Sequence, residues 1–294
     1  MNILLFGKGF KEGNEVYLHT LMSTLGARGA NTYVNKQYQE ILEEQNVNFC
    51  GHCATIDTTD ELREANIDFV ITLGGDGTIL TAITLIEDLQ IPILGINLGR
   101  LGFLAIIEKS KIERAIDKLF AGRYSIGNRV MLKLNGADGL FAEKTFALND
   151  FTLHKRDTSA MIKVHTFIDG SFLNSYWADG LIISTPTGST GYSLSCGGPI
   201  VFPYSGNFII TPVAPHDMNA RPVVLSDKTE ISFVIEGRGE NFLCTLDSRF
   251  EIITSDHKLS VRKADFPARL VQLEGVSFQE TIHNKLLWGK DSRV

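Results

Sequence analysis

The chain has 294 residues, of which 44% are hydrophobic and 21% charged, and carries a net charge of −6. That length accommodates two domains with well-buried cores, and the composition is that of a globular protein. The acidic balance and the absence of a dense Lys/Arg run argue against a nucleic-acid partner. No apolar run approaches a membrane span, and Met1 leads directly into strand-like Ile3-Leu4-Leu5-Phe6, so the expectation is a cytoplasmic protein with no membrane partner.

Along the chain, strand-like runs at 2–6, 31–34, 68–73 and 92–97 alternate with helical patterns at about 13–26, 36–45, 59–65, 78–89 and 109–120. This predicts an α/β N-terminal domain on a parallel sheet over residues 1–122. Past that point Val130–Leu134, Lys163–Asp169 and Glu230–Ile235 alternate apolar with polar between Gly, Asp and Asn turns. They predict an all-β, sandwich-like C-terminal domain over 123–270. A last helical stretch, about 278–288 within a tail over 271–294, is expected to pack back on the first domain.

Two glycine-dense segments carry the chemistry. Gly74-Gly75-Asp76-Gly77-Thr78 lies between the apolar run Asp68–Leu73 and a helical pattern. It is a strand-to-helix turn of the kind that aims N–H groups and a helix N-terminus at an anion; the plainer alternative is a tight turn with Asp76 as a helix cap. The second segment runs from Asp179 to Ile200 and includes Thr187-Gly188-Ser189-Thr190-Gly191-Tyr192-Ser193. It offers many hydroxyl donors and close backbone approach, or else a Ser/Thr-rich turn between strands.

Other motifs fail. Gly7-Lys8-Gly9 lacks the third glycine of the dinucleotide fingerprint, because Glu12 stands there. Neither Ser189 nor Ser193 has the glycine flanks of a hydrolase elbow. Cys50-Gly51-His52-Cys53 has the form of a thiol-redox pair but no helix opens at its first cysteine, and no further cysteines stand at metal-binding spacing.

The first glycine turn, Leu94–Leu104, Ala147-Leu148-Asn149-Asp150, the Asp179–Ile200 segment and Asn284-Lys285-Leu286-Leu287-Trp288-Gly289 together resemble NAD kinases in order and spacing. The resemblance implies transfer of the γ-phosphoryl group of ATP to the 2′-hydroxyl of the adenosine ribose of NAD, giving NADP, at a site in the cleft between the domains. It further implies a divalent metal, Mg2+, and a homodimer or homotetramer. Asp76 is implied as the catalytic carboxylate, either general base or orienting group, with Gly74, Gly75 and Thr78 on the phosphates of ATP. NAD contacts are implied at Asp76, Gly77, Asn149 and Asp150, and at Trp177 and Asp179 near the nicotinamide. Thr190, Gly191, Tyr192, Ser193, Leu194, Ser195 and Ala214 are expected to line the same pocket.

Three positions depart from the family pattern. Asp150 stands for the usual Glu, Gly191 for the usual Ala, and Thr81 for a frequent basic residue. Arg100 and Arg129 are the nearest candidate cations, each readable as structural. Two other readings stay open: a lipid or sugar kinase sharing the first turn, and a dinucleotide sensor for which Asp76 is dispensable.

Overall fold

The protein is described by a computed structural model covering residues 1–9, 11–47, 53–156, 161–237 and 239–286. Cys50, Gly51 and His52 of the cysteine motif, and Leu287-Trp288-Gly289 of the tail motif, lie outside the described residues. The chain forms two compact units: Met1–Asn128 together with the chain from Arg269, and Arg129–Ala268.

The first unit begins β1 (Asn2–Gly7), α1 (Glu15–Ala27), β2 (Asn31–Asn35), α2 (Lys36–Glu44), β3 (Ala54–Ile56), α3 (Thr59–Glu64), β4 (Phe69–Leu73) and α4 (Asp76–Ile86). It continues with β5 (Ile93–Asn97), β6 (Ile107–Glu108), α5 (Ile112–Phe120) and β7 (Tyr124–Arg129). The second unit holds β8 (Leu132–Asn135), β9 (Phe146–Ala147), β10 (Asp150–Lys155), β11 (Ile162–Ile168), β12 (Ser171–Ala178), β13 (Gly180–Ser184), α6 (Tyr192–Ser195) and β14 (Asn207–Val213). There follow β15 (Val223–Ser226), β16 (Ile231–Glu236), β17 (Phe242–Leu246), β18 (Arg249–Ile253) and β19 (Ser260–Lys263), after which β20 (Ala268–Leu273) and α7 (Phe278–Leu286) return to the first unit.

In the first unit the sheet order is β3-β2-β1-β4-β5-β20-β7, with β6 beside β5. The pairings of β1 with β2 and β4, β2 with β3, and β5 with β4, β6 and β20 are parallel. Strands of such a sheet are covered on both faces, and β4 and β5 are accordingly buried at every residue. Helix α5 buries Ile112, Ala115, Ile116 and Leu119, one stripe at helical spacing. Helix α3 starts on a capping box between Thr58 and Glu61.

The second unit packs two six-stranded sheets, β15-β14-β13-β10-β17-β18 and β12-β11-β16-β19-β8-β9, paired antiparallel throughout the described residues. Phe151 of β10 stacks on Phe233 of β16 at 5.5 Å, so the two sheets meet face to face. The α/β and all-β classes expected from the sequence are thus the observed ones.

Details differ from the sequence reading. Helix α4 starts at Asp76, inside the glycine turn, and ends at Ile86 because Glu87 takes a φ of 53°. The pattern at 109–120 opens as a 3-10 turn over Lys109–Lys111 before α5. Strand β3 has no sequence signal, since Ala54 and Thr55 are exposed and only Ile56 is buried. Gly95 of β5 sits where a Cβ would come within 2.7 Å of Ile79 Cδ1 and 2.9 Å of Ala105 Cα. Gly95→Ala is therefore expected to cost about 1–3 kcal/mol of stability, read as a lower midpoint of urea unfolding followed by circular dichroism.

Candidate active site

In the first unit the chain runs from β1 outward through β2 and β3, then returns to lay β4 on the other side of β1. This reversal is the switch point of a doubly wound sheet, and ligands bind such sheets beyond the carboxyl ends of the flanking strands. The Gly74–Thr78 turn follows β4 at that place. Gly74 donates its N–H to Ile96 O, and a Cβ on it would strike Thr78 Oγ1 at 2.3 Å. Thr78 is buried beneath Gly74. By contrast, Gly75 and Gly77 are exposed, and a Cβ on either would meet nothing within 4 Å. Packing within the protein does not require glycine at these two positions, whereas close approach of a ligand to backbone would.

Asp76 is the first residue of α4, and its carboxylate reaches across to the loop after β5. Oδ2 accepts the N–H of Phe103 at 2.8 Å, and Oδ1 accepts those of Leu104 at 3.0 Å and Ala105 at 2.9 Å. Gly102 makes room for it, since a Cβ there would lie 1.8 Å from Oδ1. Asn97 holds the same loop, donating to Arg100 O at 2.6 Å and accepting from Gly99 N at 2.7 Å. The Lys285 ammonium of α7 lies 5.7 Å from the Phe103 ring centre. A carboxylate has about four lone-pair sites, so Asp76 keeps one acceptor site, on Oδ2.

In the second unit the Leu148-Asn149-Asp150 turn enters β10 and is fixed from two sides. On one, Thr185 Oγ1 donates to Leu148 O at 2.6 Å, and Thr185 N donates to Asn149 O at 2.9 Å. Gly188 packs so closely on this turn that a Cβ would come within 2.1 Å of Asn149 O. On the other side, the Asp247 carboxylate accepts the N–H groups of Leu148 at 2.9 Å, Asn149 at 2.7 Å and Asp150 at 3.2 Å. The side-chain amide of Asn149 and the carboxylate of Asp150 have no hydrogen-bond partner among the described residues. Asp150 is buried, and that burial, with Asp247 nearby, pushes its pKa up to about 7.

Gly191 faces both groups: a Cβ on it would stand 4.0 Å from Asn149 Nδ2 and from Asp150 Oδ2. Tyr192 is 40% exposed and stacks on His154 at 5.6 Å, leaving much of the ring accessible. Burial, then Cys196, then Asp150 and Asp179 raise the Tyr192 pKa, so its hydroxyl lies within electrostatic reach of both carboxylates. Asp179 pairs with Lys155 Nζ at 2.5 Å. Burial holds the neighbouring His154 imidazole below its ordinary pKa.

The remaining expected residues divide. Ser195 is exposed at the end of α6, and Thr190, half-buried, donates to Thr187 O at 3.2 Å. Ser193 is fully buried, bonded to Thr211 at 2.8 Å, so its hydroxyl is turned into the unit; Leu194 is half-buried. Trp177 is exposed and tilted against His216 at 5.1 Å, and exposed Ala214 holds a φ of 44°. Arg100 is exposed, whereas Arg129 is buried with its guanidinium over the Tyr204 ring at 5.0 Å. Nothing in the sequence singles out Asp247, Thr185 or Lys155, whose contacts span between 24 and 99 residues. Among the described residues no three His, Cys, Asp or Glu side chains gather as a metal cage, and no helix is long and apolar enough to cross a membrane.

The ATP-NAD kinase N-terminal domain matches residues 3–124 and the ATP-NAD kinase C-terminal domain residues 148–273. An NAD kinase of Cytophaga hutchinsonii is 47% identical, and one of Flavobacterium psychrophilum 40%, each over 100% of both chains. An NAD kinase from Archaeoglobus fulgidus, solved in complex with ATP, is 26% identical with a TM-score of 0.74 over 93% of this chain and 94% of that one. Yeast NADH kinase complexed with NADH shares the fold, with a TM-score of 0.83 at 24% identity over 100% of this chain and 89% of that one. The matched domains and relatives define a phosphotransferase of the nicotinamide-dinucleotide kinase type. The chain belongs to the ATP-NAD kinase family.

Removing the Asp76 carboxylate frees three N–H groups at once. In Asp76→Ala the amides of Phe103, Leu104 and Ala105 are expected to exchange about tenfold faster or more in hydrogen-exchange mass spectrometry, since a hydrogen bond to a charged group is worth about 1.5–3 kcal/mol.

Proposed function

We propose that the protein transfers the γ-phosphoryl group of ATP to the 2′-hydroxyl of the adenosine ribose of NAD, producing NADP and ADP. The observation that carries this reading is the Asp76 carboxylate, fixed by three N–H groups at the head of α4 with one acceptor site left on Oδ2. That site can take one hydroxyl proton or one metal ion, not both, and we assign it to the 2′-hydroxyl. A divalent ion then enters with the nucleotide as Mg-ATP, in keeping with the way Mg2+ is usually held by substrate phosphates and few carboxylates.

Phosphoryl transfer depends mainly on alignment and charge neutralisation. Gly75 and Gly77 let phosphate oxygens approach the Asp76 and Gly77 N–H groups at the start of α4, while the Thr78 N–H is already taken by Gly75 O at 3.0 Å. As the 2′-oxygen bonds to the γ-phosphorus and the bond to the β-phosphate bridge breaks, the hydroxyl proton passes to Asp76 Oδ2. A loose transition state releases that proton late, so one carboxylate serves first as orienting group and then as base.

The open amide of Asn149 and carboxylate of Asp150 are assigned to the adenosine, Tyr192 and Ser195 to the dinucleotide pocket, and Asp179 to the nicotinamide half. Phe250 and Ile252 stand exposed on β18, an edge strand, which supports a homodimer or homotetramer. A cytoplasmic location fits a need for ATP and NAD.

Incubation with Mg-ATP and NAD, read with an NADP-specific dehydrogenase, should yield NADP; none from folded protein overturns the proposal. Asp76→Asn is expected to lower kcat by about 10²–10⁴-fold, since an amide cannot accept the proton. Ribose hydroxyls donate best to an ionised Asp150, whose pKa is pushed up to about 7. NAD affinity should therefore rise between about pH 6 and about pH 8 in direct titrations, and stay flat in Asp150→Asn. Without ligand the sign reverses: the raised pKa means that folding favours the protonated acid, so this group's contribution to stability is lost as pH rises through about 7.

A further inference from the structure

Asp247 lies outside every motif of the sequence, in the two-residue turn that joins Leu246 of β17 to Arg249 of β18. The turn itself does not call for a carboxylate. Asp247 holds a φ of 53°, a conformation that glycine and asparagine adopt in such hairpins as well as aspartate. Nor is Asp247 in an ion pair among the described residues: the Arg249 guanidinium donates to Lys144 O and Phe146 O and stacks on the Phe146 ring at 5.5 Å. Both Asp247 oxygens instead take consecutive N–H groups of Leu148, Asn149 and Asp150, and the Asp247 N–H returns a bond to Asp150 O at 2.9 Å.

Among the described residues the side chains of Asn149 and Asp150 have no hydrogen-bond partners of their own, so they owe their direction to the backbone beneath them. Thr185 and Gly188 fix the carbonyl side of that turn. Among the described residues its N–H side rests on Asp247 alone at Leu148 and Asn149. We propose that Asp247 is the positioning residue of the dinucleotide site: by gathering these three N–H groups it aims the Asn149 amide and the Asp150 carboxylate at the adenosine half of NAD. The assignment rests on the proposed role of Asn149 and Asp150.

Asp247 has a second effect on the same turn. Burial raises the Asp247 pKa too, against the three N–H bonds and Arg249, which lower it; when ionised, its charge adds to burial in holding the Asp150 proton. The other groups that act on this pair are the Tyr192 hydroxyl, from α6, and the Arg249 guanidinium, which offsets the Asp247 charge from β18. Neutralising Asp247 should thus make Asp150 easier to ionise, moving the pH at which NAD binding strengthens toward acid.

Two substitutions separate positioning from folding. Asp247→Gly suits the backbone of the hairpin and deletes all three acceptor bonds. Asp247→Asn keeps the shape but turns an amide donor toward one of the N–H groups. NAD affinity of the full-length protein is measured by calorimetric titration at several pH values, beside the KM for ATP and the urea midpoint. The expected result is a Kd for NAD raised about threefold to tenfold in Asp247→Asn and thirtyfold or more in Asp247→Gly, given about tenfold per 1.4 kcal/mol. The KM for ATP should stay within twofold, and the pH midpoint of NAD binding should fall in both variants.

An unchanged Kd for NAD in either folded variant overturns the proposal. So does an equal rise in the KM for ATP, or a pH midpoint that does not move, since either would make Asp247 only a part of the fold. If the wild-type protein binds no NAD, the functional reading itself fails; if it binds NAD and the variants bind it equally, only the role of Asp247 fails.

Discussion

A carboxylate that collects three consecutive backbone N–H groups is the interaction on which both halves of this protein depend. Asp76 does it for Phe103–Ala105 and Asp247 does it for Leu148–Asp150. Tight turns leave N–H groups pointing together with no ladder partner, and a buried N–H left unpaired is costly. An ionised acid satisfies several at once and, being short and anchored at a turn or helix start, tolerates little displacement. The same bonds that settle the backbone thus fix the neighbouring side chains.

The consequences differ in the two units. At Asp76 the gripping group is also the one assigned to the reaction, so a single side chain both closes the Gly99–Ala105 loop and presents an oxygen to the reacting hydroxyl. At Asp247 the gripping group stands behind the site, and Asn149 and Asp150 are left free for a ligand. That freedom has an electrostatic side. Asp150 has no partner among the described residues, and burial, then the nearby Asp247 carboxylate, raise its pKa; a ligand that donates hydroxyl groups would relieve that cost.

Most of the architecture was legible because it rests on local periodicity. The apolar runs that became β4 and β5 are buried on both faces, and the helical stripe of α5 is continuous. Strand β3 was not legible, because two of its three residues are exposed and its pairing with β2 is what makes it a strand. Helix α6 was hidden in a Ser/Thr-rich stretch that reads as loop. Within it, Ser193 and Ser195 look equivalent in sequence, yet one is fully buried against Thr211 and the other exposed. A helix places residues two apart on different faces, and only the presence of the helix decides which face each takes.

The sequence by itself determined the two classes of unit and the glycine turn before α4, since each is carried by short-range pattern, and the order of its motifs along the chain carried the resemblance to the family. Tertiary structure alone decided which glycines make room for protein and which stand open, that Asp76 retains one acceptor site, that Asn149 and Asp150 are left without partners, and that Asp247 holds their backbone. The Asp76 and Asp247 bonds bring together groups 27 to 99 residues apart in the chain. Hydrogen-bond satisfaction is a property of the folded neighbourhood, and no local pattern specifies it.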